Sequence, residues 1–363
     1  MVFCNAYTSM KNQSLANYLN PSQLQAVTTI DQPVLVIAGA GSGKTRVIEY
    51  RVVHLIEQGV TPSSILLLTF TRKASREMLG RASRHEPRCQ HIEGGTFHSF
   101  AFANLKHYAQ FVGLPNSFSI LDSSDAAELV GSCAERLGFL DTPRRFPKKE
   151  TLQAIISKSI NKQISIKAIL EREYPQFAEY FAEIHNLREV YSRSKLESGY
   201  VDYDDLLIYL KMLLEDPRLH EAISSQYQYV MVDEYQDTNK LQGDITYLLS
   251  KDHNHVMVVG DDAQSIYGFR GATHENIMEF PKKFSNCLII KLEQNYRSTQ
   301  PILNVGNSIL ANMTHKYEKK LEAARDDYGS KPTLLCFKNQ YEEATWIAET
   351  VKHLRDAGVN LSD

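Results

Sequence analysis

Short apolar runs alternate with amphipathic stretches along much of the chain, and this pattern predicts the fold. The apolar runs are rich in Val, Ile and Leu, as is typical of central strands in a parallel sheet. They lie at residues 34–38, 65–70, 229–232, 255–260 and 287–291. Residues 45–58 carry their apolar side chains on one helical face and stop at Gly59. The alternation predicts an α/β domain with a parallel sheet and right-handed crossovers.

The middle of the chain follows a different pattern. Residues 123–199 have helical periodicity and no convincing strand, which predicts a helical insertion within the α/β domain. A basic turn at 144–149 is first interpreted as a solvated loop. After residue 291 the alternation resumes, with a strand predicted at 331–337 and a helix at 342–357. These elements are too few for a complete second α/β domain.

Composition narrows the class of protein. Of the 363 residues, 43% are hydrophobic and 23% are charged, which excludes a disordered, collagen-like or coiled-coil chain and predicts two or three domains. The net charge is −3, so nucleic-acid binding requires local basic patches. The five widely separated cysteines form no CxxC pair, which fits a reducing compartment. No apolar stretch approaches the ~18 residues of a membrane span, and no secretory signal is evident, so we expect a cytoplasmic protein.

A glycine-rich segment joins the first predicted strand to the first predicted helix. Its small residues allow backbone N–H groups to face phosphate oxygens at a helix N-terminus. The loop residues are Gly39, Ala40, Gly41, Ser42 and Gly43. Lys44 is positioned to reach the β- and γ-phosphates, and the Thr45 hydroxyl to ligate Mg²⁺. Ala38 stands where the strict phosphate-binding pattern has glycine. The alternative interpretation of this segment is a plain glycine-rich turn between a strand and a helix.

Polar residues that follow later strands complete a candidate hydrolytic site. Asp233 and Glu234 end the strand at 229–232 and cannot both face the core, so they emerge at the sheet edge where ligands bind. Asp233 suits Mg²⁺ and Glu234 suits a base that activates water, although two solvated acids are the alternative. Gln264 is a candidate γ-phosphate sensor, and Arg297 is a candidate arginine finger from the third segment. In isolation, either residue is more often a surface group.

Eight segments in order resemble the motifs of superfamily 1A helicases, the UvrD/Rep/PcrA group. They are residues 19–23, 38–45, 69–74, 95–100, 202–207, 233–238, 260–271 and 292–299. One such match could arise by chance, but eight in register could hardly do so. Ala38 is the usual first residue of this group's phosphate-binding loop. Arg72 replaces the usual asparagine, and Phe269 replaces a common tryptophan and offers a smaller stacking platform.

The resemblance implies a domain organisation. It indicates a RecA-like P-loop core domain (1A-like) formed by residues 1–112 and 200–290, with a helical insertion (1B-like) at 113–199. Residues 291–363 would form a partial second RecA-like domain (2A-like). The group's later motifs, a Lys-Gly-Leu loop and an arginine-bearing helix, do not occur before Asp363. We therefore expect the N-terminal half to two-thirds of a helicase, either truncated or naturally short.

The resemblance also implies roles at the nucleotide site. ATP and Mg²⁺ would be the cofactors. Gln23 would read adenine, Tyr296 would stack on it, and Arg46 is a candidate for its other face. The hydrolytic residues would be Lys44, Thr45, Asp233, Glu234, Gln264 and Arg297.

Single-stranded DNA would cross the top of the core domains. The candidate contacts are Phe70, Thr71, Arg72, His98, Phe100, Tyr267 and Phe269. The four aromatic rings follow predicted strands or lie in motif loops, and stacking of a base on such a ring contributes ~1–3 kcal/mol. Core packing is the alternative for each ring alone. Thr71 is also a candidate cap for a helix whose N-terminus meets a phosphate.

Two functions are compatible with these residues. The first is an ATP-dependent 3′→5′ single-stranded DNA translocase and helicase, which the retained hydrolytic residues favour. The alternative is a non-motor, ATP-switched single-stranded DNA-binding module, which the missing later motifs favour. The expected partners are single-stranded DNA, its junctions with duplex DNA, the missing helicase half and accessory repair proteins, with no membrane. We expect the 363-residue chain alone to unwind weakly or not at all.

Overall fold

A computed structural model describes residues 15–139, 146–268, 271–326 and 328–361. Its main sheet has six strands in the order β3-β2-β6-β7-β1-β8, and every neighbouring pair is parallel. The strands are β1 (Val34–Ala38), β2 (Ile65–Thr69), β3 (Glu93–Thr96), β6 (Tyr229–Val232), β7 (Val256–Gly260) and β8 (Leu288–Leu292). Short two-residue strands also pair: β4 (Ser119–Ile120) with β5 (Tyr200–Val201), and β9 (Gln294–Asn295) with β10 (Glu322–Ala323).

Helices precede, separate and follow these strands along the chain. The first group is α1 (Pro21–Thr28), α2 (Lys44–Glu57), α3 (Arg72–His85), α4 (Phe97–Tyr108), α5 (Ser123–Arg136), α6 (Lys149–Lys162), α7 (Ile166–Glu173) and α8 (Phe181–Glu197). The second group is α9 (Tyr203–Glu215), α10 (Pro217–Ser224), α11 (Lys240–Ser250), α12 (Glu275–Lys283), α13 (Gln300–Ala311) and α14 (Gln340–Asp356). Among the described residues, none of these helices is both long and apolar enough to cross a membrane.

The sheet is apolar on both faces because helices cover both. In β1, Leu35 and Ile37 pack into one hydrophobic core, whereas Val34 and Val36 pack into the other. All five residues of β1 are buried, as are those of β2 and β7. The strand carboxyl ends lie at one edge, so the loops after β1, β6 and β7 meet there.

The predicted α/β architecture with a parallel sheet is confirmed. All five predicted strands are present to within one residue at either end, and α2 matches the predicted helix to one residue. Strand β3 was not predicted because its sequence, Glu-Gly-Gly-Thr, lacks an apolar run and it pairs only with β2. The stretch from α5 to α8 is helical as predicted, with residues 140–145, which include the first two residues of the basic turn, outside the described part.

The segment after β8 corrects one prediction. The strand predicted at 331–337 is absent from these described residues, which are exposed apart from the half-buried Phe337 and pair with none of the described strands. An apolar run alone does not make a strand, because backbone N–H and C=O groups need partners from a second strand. The helix predicted at 342–357 is confirmed as α14.

Candidate active site

The glycine-rich loop turns sharply between β1 and α2. Gly41 and Gly43 have φ values of 77° and 89°, the left-handed region that favours glycine. A Cβ atom at Gly41 would lie 2.6 Å from the Cβ of Arg297, so a larger residue would clash there. The Ser42 hydroxyl donates to the Gly39 carbonyl over 2.7 Å and closes the loop. Lys44 therefore begins α2 at the helix N-terminus, where the loop amides and the helix dipole favour an anion.

The acidic pair follows β6, as predicted. Glu234 has φ 49°, a left-handed conformation that is strained for a residue with a side chain and costs about 1–2 kcal/mol. Its Oε2 atom lies 3.3 Å from the Nζ of Lys44 and accepts a hydrogen bond from Gln236 over 2.8 Å. The strained turn thus holds the Glu234 carboxylate over the start of α2.

Asp233 is buried, and its Oδ1 atom has no hydrogen-bond partner among the residues that the structure describes. Burial, followed by the neighbouring charge of Glu234, raises the pKa of Asp233 to about 7. Asp237 has a similar unpartnered oxygen, and burial raises its pKa to about 6. A buried carboxylate oxygen without a donor is unfavourable unless a cation or proton meets it. Together with the Thr45 hydroxyl on the same cleft, Asp233 fits the oxygen ligands that Mg²⁺ prefers.

Most predicted hydrolytic residues meet in one cleft of about 370 Å³. The glycine-rich loop forms one side, and Glu234 and Gln264 reach it from the turns after β6 and β7. The lining residues are Ala40, Gly41, Gly43, Lys44, Thr45, Glu234, Gln264, Tyr296 and Arg297. Asp233 lines an adjoining cleft of about 530 Å³ that shares Thr45, Glu234 and Gln264. Residues from distant parts of the sequence therefore converge at the carboxyl edge of the sheet.

Asn295 connects the segment after β8 to the glycine-rich loop. Its buried side chain donates to the Ala40 carbonyl over 2.5 Å and accepts from the backbone N–H groups of Arg297 and Ser298. The Tyr296 N–H donates to the Gly41 carbonyl over 2.9 Å. Sequence reasoning did not single out Asn295, and its position inside the segment 292–299 is the only signal that pointed to it.

The predicted adenine-reading residues lie beside the same loop. Gln23 is 1% exposed; its amide oxygen accepts from the Asn20 N–H, and its amide nitrogen donates to the Ser42 carbonyl over 3.0 Å. The Tyr296 hydroxyl accepts from the Asn20 side chain over 2.9 Å. Gln23 and Tyr296 are therefore joined through Asn20. Arg46 instead has its guanidinium 5.7 Å from the ring centre of Tyr50.

An aromatic pair lies beside the acidic turn. The rings of Phe70 and Tyr267 are 5.1 Å apart between centroids, and both line the 530 Å³ cleft. Phe70 is 40% exposed, so its ring is available to a ligand. Thr71 caps α3, as predicted, by accepting the Ala74 N–H over 3.1 Å, and Arg72 follows it on the exposed surface.

The remaining predicted contacts differ in their surroundings. His98 lines a third cleft, of about 520 Å³, together with Phe70 and Thr71, and burial lowers the pKa of its imidazole. Phe100 is 3% exposed and packs edge-on against Tyr227 with the ring centres 5.7 Å apart. The prediction of Phe100 as a nucleic-acid contact is therefore wrong, because α4 directs this ring into the core. Phe269 lies outside the described residues.

Comparison with known proteins gives two family matches. Residues 19–285 match the UvrD/REP helicase N-terminal domain, and residues 290–363 match the UvrD-like helicase C-terminal domain. The chain is 36% identical over 351 residues to the ATP-dependent DNA helicase PcrA of Leuconostoc citreum, covering 96% of this chain and 46% of that protein. It is 36% identical over 361 residues to PcrA of Bacillus subtilis, covering 98% and 47%. It is also 34% identical over 349 residues to a probable DNA helicase II homolog of Rickettsia felis, covering 95% and 52%. The chain spans about half the length of the curated relatives that it matches.

Proposed function

Since the chain belongs to the UvrD/REP helicase family, we propose that it contributes the ATP-hydrolysing part of a 3′→5′ single-stranded DNA translocase and helicase. One observation carries this proposal. The 370 Å³ cleft joins Lys44 to Glu234, Gln264 and Arg297 at the carboxyl edge of a parallel sheet. A site that only bound nucleotide would need the glycine-rich loop and Lys44. It would need neither a residue that activates water nor an arginine finger. The combination therefore favours hydrolysis over binding alone.

Each residue in the cleft has a chemical task in this proposal. Lys44 contacts the β- and γ-phosphates of ATP from the start of α2. Glu234 orients the attacking water and accepts its proton, while Gln264 contacts the γ-phosphate. Arg297 neutralises charge that develops on the transferred group. Positioning and electrostatic stabilisation of this kind account for most of the catalysis of phosphoryl transfer.

Thr45 and Asp233 are the proposed ligands of Mg²⁺. The metal would neutralise charge on the β- and γ-phosphate oxygens when it is bound with ATP. The unpartnered Oδ1 atom of Asp233 supports this assignment, because the oxygen is buried and lacks a donor among the described residues.

The adenine end of ATP is assigned to the other side of the loop. Gln23 and Tyr296 are the proposed base contacts, and Arg46 is the proposed contact on the opposite face. The bond from Asn20 to the Tyr296 hydroxyl supports a shared site, since it holds that ring beside α1. In this arrangement Gln23 also supports the loop through the Ser42 carbonyl.

Single-stranded DNA is the proposed second substrate. Phe70 and Tyr267 would stack on bases, and Thr71, Arg72 and His98 would contact the backbone or bases beside them. The exposed Phe70 ring and the N-terminus of α3 support this surface. Because Phe70 and Glu234 line the same cleft, bound DNA and bound ATP would contact neighbouring turns of the protein. Junctions with duplex DNA and accessory repair proteins are further proposed partners.

We also propose the three-part organisation predicted above. Residues 1–112 and 200–290 would form the ATP-binding domain, residues 113–199 the helical insertion, and residues 291–363 part of a second RecA-like domain. The six-stranded sheet and the helices α5 to α8 support the first two assignments. The contacts of Asn295 with the glycine-rich loop support a third part that closes over the nucleotide.

ATP hydrolysis tests this function directly. Phosphate release by the 363-residue chain is measured with and without a single-stranded oligonucleotide, and Lys44→Ala provides the blank. Lys251→Ala, an exposed lysine directly after α11, provides a matched control. We expect oligonucleotide-stimulated hydrolysis that Lys44→Ala abolishes and Lys251→Ala leaves unchanged.

The other outcomes distinguish the two functions. Nucleotide and DNA binding without hydrolysis would support the switched binding module instead. Hydrolysis that survives Lys44→Ala would contradict the site itself. Strand displacement by this chain alone would contradict our expectation that unwinding requires more than these residues.

A further inference from the structure

A buried ion cluster lies beside the proposed γ-phosphate contact. The side chain of Lys319 is only 2% exposed, and its Nζ atom bonds to both Asp261 and Asp262. These two carboxylates are 4% and 0% exposed and follow directly after β7. Lys319 lies between α13 and β10, in the segment after β8. The cluster therefore joins two parts of the chain that are far apart in sequence.

The carboxylate of Asp261 continues this connection into the cleft. Its Oδ2 atom accepts a hydrogen bond from the Nε2 of Gln264 over 2.6 Å. An ionised carboxylate only accepts hydrogen bonds, so the amide nitrogen of Gln264 must be the atom that faces Asp261. This leaves the amide oxygen and the second N–H of Gln264 for groups in the 370 Å³ cleft. The orientation of Gln264 is thus set by Asp261.

The segment that carries Lys319 is bound to the same turn a second time. The Oδ2 atom of Asp262 accepts the backbone N–H of Tyr317 over 2.8 Å. The side chain of Lys320, the next residue, is 74% exposed, and its Nζ atom lies 3.5 Å from the exposed carboxylate of Glu322. The two neighbouring lysines therefore have opposite environments. Removing the cation from between two buried carboxylates leaves uncompensated charge, which is strongly unfavourable.

We propose that Lys319 is a positioning residue for Gln264. By neutralising Asp261 and Asp262, Lys319 keeps the Asp261 carboxylate fixed and thereby holds the Gln264 amide towards the γ-phosphate. Recognition of the γ-phosphate then depends on whether the segment after β8 is seated on the turn after β7. This inference rests on the proposed function, since it requires ATP in the cleft.

The test measures discrimination between nucleotides rather than activity. The Kd values of ADP and of a non-hydrolysable ATP analogue with Mg²⁺ are measured by competition with a fluorescent nucleotide. Lys319→Met should reduce the preference for the ATP analogue about ten-fold, as expected for one charge-assisted hydrogen bond, and change ADP binding less than about two-fold. Lys319→Arg should restore part of the preference. Lys320→Met, the matched control, should behave as the wild type.

The same substitution in a Gln264→Ala protein separates a positioning role of Lys319 from a general loss of structure. If Lys319 acts through Gln264, Lys319→Met should have no further effect on the preference in a Gln264→Ala protein. An equal loss in both backgrounds would overturn the inference, as would an unchanged preference in Lys319→Met. If Lys319→Met is too unstable to measure, Lys319→Met with Asp262→Asn removes one unpaired carboxylate and gives the same comparison. Absence of nucleotide binding by the wild type would overturn the proposed function as well.

Discussion

Asn295 shows how one side chain can join distant parts of this molecule. It is 1% exposed and makes three hydrogen bonds, one to the glycine-rich loop and two within its own turn. The two accepted bonds shape the turn that presents Arg297 to the cleft. The donated bond to Ala40 fixes that turn against the loop. The amide suits this position because its NH₂ group donates while its separate oxygen accepts two hydrogen bonds.

We predict that Asn295→Ala lowers the free energy of unfolding by about 2–4 kcal/mol, because two backbone N–H groups and one carbonyl lose their partner. Urea denaturation measures this change. ATP hydrolysis should fall as well, since Arg297 loses its support. Gln294→Ala is the control for stability alone, because the hydrogen bonds that its side-chain oxygen accepts from Asn20 and Tyr296 are exposed and their loss should cost less than about 1 kcal/mol. Equal destabilisation by both variants would contradict the role assigned to Asn295.

Single residues also show what the sequence could not predict. Lys44, Glu234 and Gln264 follow buried strands, so their convergence could be predicted from the topology of a parallel sheet. Phe70 and Phe100 both occupy motif positions, but Phe70 is exposed and Phe100 is buried. The difference arises because Phe100 lies on α4 and faces the core, whereas Phe70 follows the end of β2. The face on which a side chain lies depends on packing that the motif does not encode.

Helix α3 has a basic surface that begins at the proposed DNA-binding site. Its first residues, Arg72 and Lys73, are exposed, as is Arg76 one turn later. Its sole acidic residue, Glu77, lies 3.8 Å from the Nζ of Lys73, and this ion pair is weak because both side chains are exposed to solvent. In a chain with net charge −3, such a surface is a local feature that favours phosphate groups.

Neutralising this surface should weaken binding of single-stranded DNA. We expect the double variant Lys73→Ala/Arg76→Ala to reduce affinity for an oligothymidylate about ten-fold at low salt. The slope of log K against log salt should become shallower by about 0.7 for each DNA phosphate that the variant no longer neutralises. Lys251→Ala/Lys282→Ala removes two exposed lysines elsewhere and gives the same net charge as the first double variant. A similar loss of affinity in both double variants would mean that only overall charge matters.

Asp244 joins three helices through lysines. Lys240 of α11, Lys211 of α9 and Lys283 of α12 each donate to its carboxylate over 2.8–3.1 Å. Burial alone would raise its pKa, but these hydrogen bonds hold the pKa of Asp244 at about 2. This is below its ordinary value of 3.8, so its contribution to stability is present above about pH 4 and is lost as the pH falls towards 2.

The pH dependence of unfolding tests this contribution. Asp244→Asn should lower the free energy of unfolding by about 1–2 kcal/mol at pH 7 and by less at pH 3, because the carboxyl of the unfolded wild-type chain is then mostly protonated while that of the folded protein is still ionised. Urea denaturation at the two pH values measures the difference. Glu215→Gln is a matched control, since its exposed carboxylate contacts the same Lys211 at 3.8 Å and should contribute less than about 0.5 kcal/mol. A cost for Asp244→Asn that does not change with pH would contradict the charge-based origin.

At the scale of elements, the sequence correctly predicted the strands that are buried on both faces. Strands β1, β6 and β7 are apolar runs covered on both faces, so composition alone indicated them. Strand β3 lies at the sheet edge and contains two glycines, so no apolar run revealed it. The run at 331–337 shows the converse, because it has strand composition but no partner among the described strands.

At the scale of the whole molecule, a buried ion cluster connects α8, the last of the helices between β4 and β5, to α9. Lys195, on the last turns of α8, is 3% exposed and lies 2.5 Å from a carboxylate oxygen of both Asp202 and Asp205. Asp202 caps α9, the helix that returns to the sheet domain, and also accepts from the Tyr191 hydroxyl over 2.7 Å. One lysine therefore holds the end of α8 against the start of α9.

We predict that Lys195→Met lowers the free energy of unfolding by about 3–5 kcal/mol, because two buried carboxylates lose the cation that pairs with both. Chemical denaturation measures this change, and Arg193→Met on the exposed face of α8 provides the control. Adding Asp205→Asn to Lys195→Met should recover part of the lost stability, because an amide can still accept the Asp202 N–H without adding a second charge. If the double variant is no more stable than Lys195→Met, the loss comes from packing of the lysine side chain rather than from unpaired charge. Recovery would instead mean that electrostatic pairing, rather than apolar contact, holds α8 against α9 at this point of the molecule.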